Sequence, residues 1–139
     1  MTPGSQVNPD ASNVDIVRCI YDAYEEGDVR MPADYFSDDI EGYVSDFVPW
    51  GGKHVGRAGI REGLQILRQY IETAFEPAEI IDCGEYIVAV GQTTGFLHKT
   101  GVTFSVRSVH VWRFEGGKIV RFENYLDRKQ YEVFQARAS

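Results

Sequence analysis

Past Pro77 the apolar pattern of this chain changes period, and that change constrains the fold more than any other feature. Before it, apolar residues recur every three to four positions; after it, they alternate. Ala78–Asp82, Tyr86–Leu97, Thr103–Phe114 and Ile119–Leu126 read as four strands. Their connections are short and built from turn formers: Cys83-Gly84-Glu85, Lys99-Thr100-Gly101 and Glu115-Gly116-Gly117-Lys118. Such connections make successive antiparallel hairpins.

The segment before Pro77 reads differently. Residues 1–12, rich in Pro, Gly, Ser, Asn and Asp, predict a loose tail. Asn13 is a candidate N-cap for a helix whose stripe is Val17, Ile20, Tyr21 and Tyr24, stopped at Gly27-Asp28. A second, shorter helix fits Met31–Phe36, with Pro32 near its start. Ile40–Ser45 predicts a short strand, and residues 47–55 a loop. A third helix is expected over Arg57–Phe75, with the stripe Ile60, Leu64, Leu67, Ile71 and Phe75. Arg128–Ala136 fits a terminal helix. Helices first and a meander of strands after them make an α+β chain, read as one domain over residues 13–136.

Composition narrows the partners. Fourteen basic against 21 acidic residues leave a net charge of −7. Phosphate binding needs a cationic surface, so neither nucleic acid nor an anionic membrane is expected as a partner. No apolar run reaches the ~20 residues of a membrane span. The start of the chain has no basic region followed by an apolar one, so it does not read as a signal peptide. Cys19 and Cys83 form no CxxC pattern. The expectation is a cytoplasmic protein with two free thiols.

Two stretches carry a resemblance. Ser108–Asp127, containing Val109-His110-Val111-Trp112-Arg113-Phe114 and Phe122-Glu123-Asn124-Tyr125, is similar to the last hairpin of SnoaL-like polyketide cyclases. It is also similar to that of their relatives, the ketosteroid isomerases and limonene-epoxide hydrolases. Gly56-Arg57-Ala58-Gly59-Ile60 resembles the same families' entry into their third helix. The order of elements matches the nuclear-transport-factor-like cone over roughly residues 14–135. The resemblance implies a cone-shaped barrel, with three N-terminal helices packed in a curved, mostly antiparallel sheet whose concave face lines an apolar pocket. It fixes the fold more than the reaction, because this fold hosts enzymes, binding modules and dimerisation adaptors alike.

Alternation puts His110, Trp112 and Phe114 on one face of their strand, and Val109, Val111 and Arg113 on the other. The resemblance makes the His110 face the pocket face, with Phe122, Asn124 and Leu126 as the matching set on the last strand. Val44-Ser45-Asp46-Phe47-Val48 resembles the isomerases' strand that carries a catalytic aspartate. Asp46 and His110 are therefore the candidate catalytic pair. A carboxylate at an apolar rim is desolvated and becomes a better base, and a neutral imidazole can donate to a developing enolate. The ordinary alternatives are a solvated loop aspartate and a core histidine.

Tyr24, Trp50, Gln92, Trp112, Phe122 and Asn124 are the candidate substrate-binding residues. Where the epoxide hydrolases carry an arginine and two aspartates, this chain has Gln92, Thr94 and Asn124, which speaks against their reaction. The isomerases' oxyanion tyrosine aligns with Ile20; Tyr21 and Tyr24 read as core. His54 and His98 fall beside turns without carboxylates at ligand spacing, so no metal is expected, and no phosphate-binding glycine motif points to a nucleotide cofactor. The functional expectation is a cofactor-independent enzyme that binds an apolar carbonyl-containing molecule for acid–base isomerisation, cyclisation or dehydration. A non-catalytic ligand-binding or dimerisation module is the alternative. Val109, Val111, Ile119 and Tyr125, expected on the convex face, predict a homodimer.

Overall fold

The computed structural model describes residues 12–26 and 33–138. The expected tail and the Gly27-Asp28 stop lie outside them, apart from Ser12. Helix α1 spans Asn13–Glu25 and buries Ile16, Val17, Ile20 and Ala23. Its N-cap is Ser12 rather than Asn13: the Ser12 hydroxyl accepts from the Asp15 backbone N–H at 3.2 Å. Within the described part of the expected second helix there is a single 3₁₀ turn, Ala33–Tyr35. Strand β1, Phe36–Val44, follows at once, longer than the sequence predicts.

Strand β2, Gly52–Val55, forms where a loop is expected and pairs antiparallel with β1. Helix α2 then runs over Gly56–Tyr70. Its start is tied to β1 by Arg57, whose Nε and Nη2 both donate to the Phe36 carbonyl, at 3.2 and 2.6 Å. The expected third helix ends five residues early, because Ile71–Cys83 is strand β3. Ile71 and Phe75 satisfy a helical stripe from Leu67 and also alternate with Thr73. Pairing along the whole of β4 (Tyr86–Leu97) decides for the strand. Pro77 is tolerated because β3 is an edge strand with a register shift at Pro77–Glu79.

Strands β5 (Thr103–Glu115) and β6 (Lys118–Leu126), and helix α3 (Arg128–Ala138), complete the chain. The six strands form one mixed, open sheet in the order β2-β1-β6-β5-β4-β3, antiparallel except where β1 lies parallel to β6. Its α+β architecture is that of the expected cone, without closure into a barrel. Glycines let β3 lie unusually close on β4. A Cβ at Gly91 would stand 2.1 Å from the Glu76 carbonyl oxygen, so no side chain fits there.

The concave face carries the core. Ile16, Val17 and Ile20 of α1 pack with Phe36, Ile40, Ile87, Trp112, Phe114 and Ile119. Ile119 is thus fully buried, against the expectation that it shares the convex face with Tyr125. The register shift between Arg113 and Phe114 turns the start of β6 over, so Ile119 pairs with Phe114 and faces the helices. A second cluster, with Val48, Trp50, Ile71, Tyr131 and Phe134, seats α3 against the turn after β1.

Candidate active site

Strict alternation along β5 turns Val106, Ser108, His110, Trp112 and Phe114 inward, and all are buried. On β6, Phe122, Asn124 and Leu126 face the same side, and His110 is the direct ladder partner of Asn124. Helix α1 contributes Tyr21 and Tyr24 from above; α2 contributes Ile60, Leu64 and Leu67. These α2 residues are only half-buried because their stripe borders a cavity and not a packed layer. The cavity has a volume of about 170 Å³, comparable with the ~150 Å³ engineered void that holds one benzene. Among the described residues, no Asp, Glu, Lys or Arg lines it, and the titratable groups of the lining are histidines and tyrosines.

A hydrogen-bonded chain runs along one wall. The Trp112 indole Nε1–H donates to the Tyr21 hydroxyl at 2.9 Å, and that hydroxyl meets His110 Nδ1 at 2.8 Å. The His110 ring is stacked on Phe75, with centroids 3.9 Å apart and planes at 24°. Phe122 presents its ring edgewise at 5.2 Å. Burial without a charged partner lowers the His110 pKa to about 3, so the imidazole is neutral at pH 7. The same desolvation raises the Tyr21 and Tyr24 hydroxyls, keeping both protonated; at Tyr24, Arg68 opposes the shift and Glu72 adds to it. Two polar atoms on this wall are buried with no partner among the described residues: His110 Nε2 and Asn124 Oδ1.

A second imidazole stands on the opposite side. His54 of β2 is the ladder partner of Gly42, and its Nε2–H donates to the Trp50 carbonyl at 3.1 Å. A carbonyl only accepts, so it is Nε2 that carries a proton in this contact. Three strand spacings separate β2 from β5, about 14 Å across the sheet.

Of the residues singled out by sequence, the structure brings His110, Tyr24, Trp50, Trp112, Phe122 and Asn124 to the cavity. Asp46 is not among the lining residues. Inward alternation along β1 includes Ile40, Gly42 and Val44 and would reach Asp46 if the strand continued. It stops instead at Ser45, whose N–H donates to the Asn124 carbonyl and whose hydroxyl accepts from the Leu126 N–H, at 3.0 Å each. Asp46 then sits exposed on the following turn. Gln92 is also off the cavity. The ladder partner of His110 is Ala89, so the odd-numbered positions of β4 face inward. Gln92 faces outward, its Oε1 accepting from Ser105 at 3.1 Å. Thr93 lines the cavity in its place and is hydrogen-bonded to Ser108 at 2.6 Å.

Sequence reading missed the role of Tyr21, whose signal was its place on the inward stripe of α1. It missed Phe75, hidden by the helical spacing from Ile71. It passed over His54, because a four-residue strand with two exposed positions leaves almost no periodic pattern. Among the described residues, no group of three or more His, Cys, Asp or Glu side chains is arranged to hold a metal. No described helix is long and apolar enough to cross a membrane.

Helices packed against an open, six-stranded mixed sheet are the architecture this chain shares with NTF2-like proteins. The chain belongs to the SnoaL-like domain family, whose model matches residues 17–122. It is similar to an NTF2-like protein of unknown function from Burkholderia pseudomallei K96243, at 27% identity and a TM-score of 0.80, covering 90% of this chain and 96% of that one. An NTF2-like protein from Burkholderia xenovorans LB400 matches at 28% identity and a TM-score of 0.76, covering 87% and 93%. TerC, solved with polyporic acid, shares the fold at 23% identity and a TM-score of 0.79, covering 91% and 98%. No curated protein matches the sequence.

Proposed function

We propose that this protein is a cofactor-independent enzyme that takes a small, uncharged, apolar oxygen-bearing molecule into the cavity. There it promotes acid–base isomerisation, cyclisation or dehydration. The observation that carries this reading is the Trp112–Tyr21–His110 chain, which ends on the buried imidazole of a residue lining a cavity with no charged side chain among the described residues. A neutral donor in such a place polarises a carbonyl oxygen, and its hydrogen bond strengthens as negative charge develops there. A proton acceptor is available on the far side at His54 Nδ1, a role the sequence assigns to Asp46. In this reading the substrate is held on the His110 donor, and His54, on the other side of the cavity lining, is the candidate base. TerC, of the same fold, was crystallised with a small organic molecule, which fits a cavity of this kind. In this reading residues 13–136 act as one domain, working as a homodimer in the cytoplasm.

The test is deuterium incorporation, followed by NMR in D₂O, over a panel of enolisable ketones, β-dicarbonyls and small terpenoids. His110→Phe keeps a planar ring without the donor and should abolish exchange. His54→Gln should lower it by roughly 10²–10⁴, the weight of a positioned acid–base group. A second reading, a non-catalytic binder of the same fold, is favoured by the absence of any carboxylate among the described lining residues. Binding of panel members by calorimetry with no exchange or turnover would decide for that binder.

A further inference from the structure

One arrangement of protons satisfies Trp112, Tyr21 and His110 Nδ1 together. An indole N–H only donates, so the Tyr21 oxygen accepts from Trp112. The phenolic proton then has His110 Nδ1 at 2.8 Å as its acceptor. In a neutral imidazole this leaves the ring proton on Nε2, so Nε2–H is a donor. It is buried and pairs with no protein group. Directly across the β5–β6 ladder, Asn124 Oδ1 is an acceptor, also buried and also without a protein partner. Ladder partners place their Cβ atoms about 4.5–5.5 Å apart on the same face, and both residues line the cavity. Both unpaired groups thus belong to neighbouring residues that line the same cavity.

We propose that the cavity selects its ligand through a hydroxyl group, that of a phenol, an enol or an alcohol, which accepts from His110 Nε2–H and donates to Asn124 Oδ1. The inference rests on the reading above that the cavity binds a small apolar molecule, and it names the group by which that molecule is held. A ketone or ether oxygen only accepts, and leaves Oδ1 unpaired. A carboxylate brings a negative charge beside an acceptor, into a lining with no cation to balance it. An ammonium leaves the imidazole N–H unpaired. An enolisable carbonyl compound satisfies both groups only as its enol. The ring stack of Phe75 on His110 and the edge of Phe122 favour a planar neighbour, so phenols and enols fit better than saturated alcohols.

The probes are four molecules on one skeleton: naphthalene, 2-naphthol, 2-methoxynaphthalene and 2-naphthoate. Each is titrated into the full chain at pH 7 and followed by calorimetry and by the fluorescence of Trp50 and Trp112. The expected order places 2-naphthol tightest, by about 3–10-fold over naphthalene and the methyl ether, the worth of a neutral hydrogen bond. Naphthoate should be weakest. In Asn124→Leu, checked for folding by circular dichroism, the advantage of naphthol over its methyl ether should fall to near parity while naphthalene binds at least as well as before. Equal affinity of native protein for naphthol and its ether would overturn the hydroxyl assignment while leaving the cavity as a binding site. So would an advantage that survives Asn124→Leu, since a water would then be serving Oδ1. Failure of all four probes to bind would remove the binding reading itself, and the inference with it.

Discussion

Replacing Tyr21 by phenylalanine removes a single oxygen atom that two other buried groups share. The Trp112 Nε1–H loses its acceptor and His110 Nδ1 loses its donor. Both residues are almost fully buried, at 4% and 6% exposure, so water reaches neither readily. A stranded buried polar group costs about 1–3 kcal/mol, so Tyr21→Phe should destabilise the fold by about 2–5 kcal/mol. That is a large share of the ~5–15 kcal/mol that holds a domain together. For a chain of this size, with roughly 3–4 °C lost per kcal/mol, the melting midpoint should fall by about 6–20 °C. The tautomer should change with it. Without the phenolic proton, nothing holds the imidazole hydrogen on Nε2, and the donor facing the cavity is no longer enforced. Long-range ¹H–¹⁵N spectra of the His110 ring report this directly. Native protein should show the Nε2–H form at pH 7, and Tyr21→Phe a mixture. A variant that melts within a degree of native, or a native ring protonated on Nδ1, would refute the chain as drawn.

Three further outcomes are expected. The His110 pKa is lowered by burial to about 3 in the fold, against ~6.5 in the unfolded chain. Between those values the unfolded state binds more protons, so stability is complete above about pH 6.5 and declines as pH falls towards 3. Denaturant titrations from pH 7 to 4 should show that slope in native protein and a shallower one in His110→Phe; equal slopes would remove His110 as the cause. Asp46→Asn should change stability by no more than about 0.5 kcal/mol, the usual range for an exposed position, and should leave turnover on any accepted substrate near native. A fall of a hundredfold or more would return the base role to Asp46. Finally, Val88, Val90, Val109, Val111 and Tyr125 are ladder neighbours on the convex face, with Tyr125 43% exposed. Sedimentation should show a dimer at micromolar concentration, and Val109→Lys should shift it to monomer; a native monomer would end the proposal.

What the sequence determined by itself is the part governed by local period. Alternation over nine to thirteen residues, bounded by glycine turns, is enough to define β4, β5 and β6. It also puts His110, Trp112, Phe122 and Asn124 on one face, because side-chain direction along a strand depends only on parity. The remainder was decided by pairing between segments far apart in the chain. Ile71 and Phe75 fit a helix or a strand equally well until β4 offers a full-length partner. Ile119 and Asp46 each sit one step past a break in alternation, at the β6 register shift and at the Ser45 anchor, where parity no longer predicts the face. Tyr21 was legible as an inward residue, but its hydroxyl acquires a role only when β5 delivers an indole and an imidazole within 3 Å of it. That meeting joins residues about ninety positions apart. It follows from how α1 lies across the sheet, and no pattern within either segment records it.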